Sequence, residues 1–132
     1  MQRIERFEDI LAWQRARGLT KDIYGCAGAG RFARDYGLRD QIQRASVSAM
    51  ANIAEGFERG GDREFLQFLS NSKGSCAEVK SHLYVALDQA YLTQPGFDQL
   101  YAKADEVSRL LGGFMSYLRQ SHLRGPKFKT TT

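Results

Sequence analysis

The stretch Gln41–Leu83, QIQRASVSAMANIAEGFERGGDREFLQFLSNSKGSCAEVKSHL, decides the fold. It reads as two long helices running antiparallel about a tight turn at Gly60-Gly61. From Phe65 onward, apolar or small residues fall at Phe65, Leu69, Ser72, Cys76, Val79, Leu83, Ala86 and Ala90. Alternating steps of four and three are the period of a helix packed along a left-handed seam.

Working outward, the chain divides into four helical segments. The first is expected to start near Glu8 or Asp9, where acidic groups favour a helix N-terminus, and to run to about Gly25. Phe7, Ile10, Trp13, Ala16, Leu19, Ile23 and Tyr24 form its apolar face, with Trp13 as a core anchor. Three glycines between Gly25 and Gly30 end it in a link. That link is no phosphate loop, because no strand precedes it and no Gly-Lys-Ser/Thr follows. The second helix is expected over Tyr36–Arg59, with Asp35 as a candidate N-cap and Gly60 as its left-handed stop. Ala45, Ser46, Ser48, Ala49 and Ala51 make it rich in small residues, which suits close approach of a neighbouring helix within or between chains. The third is expected over Arg63–Leu92, with Asp62 as the strongest N-cap candidate. Thr93-Gln94-Pro95-Gly96 then breaks the chain. The fourth is expected over Phe97–Leu123, with Gly112-Gly113 marking a close contact or a bend.

The predicted fold is therefore all-α: an antiparallel up-down-up-down four-helix bundle over residues 1–124, followed by a basic, disordered tail at 125–132. A chain of 132 residues with 42% hydrophobic content suits one domain with a sizeable core. Its two cysteines are too few for a disulfide framework and point to a reducing cytoplasm. No signal peptide and no membrane-spanning segment is read from the sequence.

The net charge of +4 directs attention to acidic partners such as nucleic acid. No acidic residue follows Glu106, whereas Arg109, Arg119, Arg124, Lys127 and Lys129 do. Arg39, Arg63, Arg119, Arg124, Lys127 and Lys129 are the candidate phosphate contacts, since arginine's fork suits phosphate. A second group, Gln41, Arg44, Asn52, Glu55, Arg59, Glu64, Ser75 and Glu78, is read as a polar network near the inward side of the second and third helices. Buried charges require partners, so Arg44 or Arg59 is expected to pair with Glu55, Glu64 or Glu78. Such a network fixes helix register or a subunit interface.

Enzyme chemistry is not expected. Di-iron bundles need two Glu-x-x-His elements. Here Glu78 and His82 lie four apart, and His122 has no such partner. Cys76 and His82 are six apart, a poor spacing for a nucleophile and its base. No cofactor and no metal is expected. Two readings remain: a nucleic-acid-associated oligomer, or a protein-interaction scaffold whose positive charge is incidental.

The run Gln41-x-x-Arg44-Ala45, Ser48, and Asn52-Ile53-Ala54-Glu55-Gly56-Phe57-x-Arg59 resembles the core motif of a bacterial family encoded by intervening sequences within 23S ribosomal RNA genes. Glu64-Phe65, Phe68-Leu69, Gly74-Ser75 and Glu78 resemble its third-helix pattern, and Trp13, Ala16 and Tyr24 its first. The similarity covers about Phe7 to Leu118. It implies a four-helix bundle commonly assembled as a homopentamer. A related branch, the accessory variability determinants of diversity-generating retroelements, implies a reverse transcriptase partner and a basic nucleic-acid-binding surface.

Overall fold

A computed structural model describes residues 3–121, and all of its regular structure is helical. Helix α1 covers Leu11–Ala27, α2 Tyr36–Arg59, α3 Asp62–Asp88 and α4 Gln94–Ser121. Each helix packs on two neighbours, α1 and α3 both against α2 and α4, and successive helices run antiparallel. The up-down-up-down bundle expected from the apolar spacing is the fold.

Local chemistry sets the helix limits. Glu8 and Asp9 do not open α1. They belong to a 3-10 turn, Phe7–Asp9, in which the Asp9 carboxylate accepts the Glu5 and Arg6 backbone N–H groups at 2.9 and 3.2 Å. At its other end α1 continues past Gly25 because Ile23 and Ala27 are both fully buried. Trp13 sits at the core's edge, half-buried, edge-on to Phe7 at 5.1 Å.

Helix α2 has the expected limits. Asp35 Oδ1 accepts the Leu38 N–H at 3.1 Å, and Gly60, at φ 93°, stops the helix in the left-handed region that glycine enters without penalty. Asp62 is not an N-cap. It lies inside the first turn of α3, and Gly61 occupies the cap position with no side-chain bond. Helix α3 stops four residues before Leu92. The Tyr91 N–H reaches back to the Ala86 carbonyl and the Ala90 N–H to that of Leu87, both at 2.9 Å, while Ala90 turns left-handed at φ 60°. This pair of bonds is a Schellman ending, in which glycine usually occupies the left-handed position. Helix α4 starts earlier than expected. Thr93 Oγ1 accepts the Gly96 N–H at 3.1 Å, and Pro95 falls in the first turn, where no N–H is needed. The expected end at Leu123 and the tail at 125–132 lie outside the described residues. Helix α4 runs unbroken through Gly112 and Gly113, and a Cβ on Gly112 would meet only Lys73 Nζ, at 3.5 Å, and one on Gly113 nothing within 4 Å.

The third-helix series from Phe65 to Ala86 is buried as expected, but Ala90 is exposed. The small residues Ala45, Ser46, Ala49 and Gly56 of α2 are all buried, with Ala49 and Gly56 against α3, whereas Ala51 is exposed. The helices approach so closely that a Cβ on Gly56 would lie 2.6 Å from Phe68 Cβ and 2.8 Å from Phe65 Cδ1. Hydroxyls satisfy backbone where helices meet: the buried Ser72 of α3 donates to the Ala49 carbonyl at 2.6 Å, and the half-buried Thr20 of α1 donates to that of Ser46 at 3.0 Å. Burial pushes the Cys26 and Cys76 thiols up to about 11.

Candidate interaction surfaces

The polar residues singled out on α2 lie on one stripe. Gln41, Arg44, Ser48, Asn52, Glu55 and Arg59 follow one another at steps of three, four, four, three and four. On α3, Glu64, Gln67, Asn71, Ser75, Glu78 and His82 repeat the same steps. A shared helical spacing puts each set on one side of its helix. The bond from Ser75 Oγ to Ser48 Oγ, 2.9 Å, sets the register between them. The antiparallel run then brings Asn52 level with Asn71, Arg44 with Glu78, Arg59 with Glu64, and Gln41 with His82. The register thus sets residues of opposite charge at matching levels on either side of a centre of short neutral side chains.

That centre is a connected network. Asn52 Nδ2 donates to the Ser48 carbonyl and hydroxyl at 2.9 and 3.0 Å, and Gln67 Nε2 donates to Asn71 Oδ1 at 3.1 Å. Ser75 is buried and Asn52 half-buried, but Gln41, Arg44, Glu55, Glu64 and Glu78 are exposed on this chain. The expected buried charges are therefore surface charges. Arg59 does pair with Glu55, at 2.9 Å, with about half of each side chain in solvent. That bond, and then the nearby Glu64 carboxylate, hold the guanidinium above its ordinary pKa. Ser48, Gln67, Asn71 and His82 were not part of the sequence-derived network. Their place in it becomes visible only once the register between α2 and α3 is known.

The cationic candidates do not converge on one place. Arg63 opens α3 and Arg119 closes α4, both exposed and both at the end of the bundle marked by the Gly60-Gly61 turn. Arg39 sits near the start of α2, at the opposite end, about 30 Å away at 1.5 Å per helical residue. Its Nη1 donates to the Ala33 carbonyl at 2.9 Å, and its guanidinium lies 5.0 Å from the Tyr36 ring centroid. Arg124, Lys127 and Lys129 lie outside the described residues.

Other polar groups serve the bundle. Asp105 accepts Lys80 Nζ at 2.8 Å and Arg109 Nε at 3.0 Å, linking α3 to α4, and Lys103 pairs with Asp22 of α1. The Lys80 hydrogen bond, with help from Arg109, holds the Asp105 carboxyl below the usual carboxylate range. A cavity of about 490 Å³ between the N-terminal lead, α1 and α4 is lined mainly by Ile4, Ile10, Leu11, Leu110, Phe114 and Tyr117. Its polar groups are already engaged: Asp9 by backbone, Gln14 by the Glu8 carbonyl and Arg109 by Asp105. Among the described residues, no group of three His, Cys, Asp or Glu side chains could hold a metal ion. No helix among them is long and apolar enough to cross a membrane.

No curated protein matches the chain. A crystal structure of a protein of unknown function from the S23 ribosomal protein family, from Bacteroides thetaiotaomicron, has a similar fold. It superposes with a TM-score of 0.73 at 18% identity, over 80% of this chain and 98% of that one. The model of the 23S rRNA-intervening sequence proteins matches residues 8–113, a span that holds the α2–α3 seam and both polar stripes. The chain belongs to the 23S rRNA-intervening sequence protein family.

Proposed function

We propose that the protein is a non-catalytic assembly module that self-associates through the α2–α3 seam. The observation that carries this reading is the pair of matched polar stripes on a solvent-facing groove. A surface with no task beyond solubility needs only scattered long charged side chains. Here short Ser, Asn and Gln side chains are already fixed by mutual hydrogen bonds, so a partner would order few additional rotamers on docking. Charged residues toward the ends and neutral ones at the centre match the usual division between rim and core of an interface. The family resemblance suggests a closed ring of five copies. Sedimentation velocity at micromolar concentration tests this. A single species larger than a monomer is expected, and Arg44→Glu, which sets two carboxylates opposite each other, should dissociate it with helical circular dichroism retained. A monomeric wild type would sink the proposal.

The net positive charge favours a second role for the assembled module, association with RNA or DNA. Arg63 and Arg119 stand exposed at one end of each copy, so a ring would repeat them and multiply a weak single-site affinity. Mobility shifts across a salt series should show binding that collapses toward physiological salt, with a slope reduced by Arg63→Gln and Arg119→Gln. Absence of binding at low salt would leave a protein-interaction scaffold.

A further inference from the structure

At the end of the bundle opposite the Gly60-Gly61 turn, Tyr36 is 63% exposed, the largest value among the large hydrophobic side chains of the described residues. A lone exposed ring is ordinary. This one stands within a group of arginines. Arg39 lies over its face, Arg31 precedes the 3-10 turn Phe32–Arg34, and Arg34 ends that turn just before it. Among the described residues neither Arg31 nor Arg34 pairs with a carboxylate. The carboxylate nearest in sequence, Asp35, has both oxygens engaged, Oδ1 by the Leu38 N–H and Oδ2 by the Tyr91 hydroxyl at 2.9 Å.

The platform beneath these groups is rigid. Phe32 is buried and stacks on Tyr91 at 5.3 Å, and Arg31 lies over the other aromatic partner, the Tyr91 ring, at 5.3 Å. Arg39 is held by the Ala33 carbonyl, so the cation that orients Tyr36 is itself anchored. An exposed ring beside cations on a fixed turn is the arrangement that takes an unpaired base by stacking and its phosphates by charge.

We infer that the α1–α2 connection is a single-stranded nucleic-acid site, with a base stacked on Tyr36 and phosphates held by Arg31 and Arg34. This rests on the nucleic-acid role proposed above and adds a base contact at the opposite end of the bundle from Arg63 and Arg119. A duplex, whose bases are already stacked, has no face to offer Tyr36. The site is therefore selective for unpaired strands and tolerant of sequence.

Fluorescence anisotropy with a labelled oligouridylate and an RNA duplex of equal length, at low salt, tests the assignment. Tyr36→Leu keeps apolar bulk without a ring and should weaken single-strand binding about tenfold, whereas Tyr36→Phe should not. Duplex binding should be indifferent to both. Replacing Arg31 and Arg34 together with glutamine should lower the salt slope for the single strand by about 1.4, two phosphate contacts' worth. Wild-type protein that binds neither strand overturns both this site and the nucleic-acid role. Single-strand binding that ignores Tyr36→Leu but falls with Arg63→Gln and Arg119→Gln overturns this site alone.

Discussion

Gly56 is where a single methyl group would be felt most directly. An added Cβ would collide with Phe65 and Phe68, and Phe68 would meet it through its own Cβ, the least movable part of a side chain. Gly56→Ala should destabilise the fold by about 1–3 kcal/mol, the usual cost of overpacking, as read by urea titration. Gly18→Ala is the control, since its Cβ would meet nothing within 4 Å and alanine is the better helix former by about 1 kcal/mol. It should stabilise. Glu55 behaves differently. Because its pair with Arg59 is exposed and spans one helical turn, Glu55→Ala should leave the urea midpoint of a monomer nearly unchanged. A larger loss seen only in the assembled form would place Glu55 at a subunit contact. The sequence could not separate these cases. The polar stripe of α2 is offset by only one residue from the apolar stripe at Ile42, Ala45, Ala49 and Ile53, and periodicity does not say where burial stops.

At the scale of the element, the limits of α2 were legible because both of its ends carry side-chain or backbone chemistry that acts locally. Asp35 caps it and Gly60 stops it. The end of α3 was not legible, because its cause is tertiary. Tyr91 leaves the helix to stack on Phe32 and to bond Asp35, and the turn this requires forces Ala90 to a positive φ. An L-residue with a Cβ pays about 1–2 kcal/mol there, which glycine does not. Ala90→Gly should therefore raise stability by about 1 kcal/mol, visible as a higher midpoint in guanidinium chloride. Tyr91→Phe should lower the midpoint, because it leaves one Asp35 oxygen without its donor. Asp62 fails as a cap for a related reason. The two-residue turn delivers Gly61 to the cap position and draws Asp62 into the helix.

For the molecule as a whole, the bundle was legible from four amphipathic segments and three breaks, whereas the surfaces depend on register between helices. The ion pairs that lock α4 in place give the fold a pH signature. The Asp105 carboxyl is held below its ordinary pKa by Lys80 and Arg109, so its stabilisation is complete above the unfolded value of about 3.9 and is lost as pH falls through the lower folded value. Melting temperatures of the wild type should drop between pH 5 and pH 3 by more than those of Asp105→Asn. With an even number of antiparallel helices, the described chain enters and leaves the bundle at the same end, the end of the Gly60-Gly61 turn. The backbone is therefore suited to circular permutation. The two ends could be joined by a linker and the chain reopened between Gly28 and Gly30, with all four helices left whole. Such a permutant would move any fused reporter to the end that carries Tyr36.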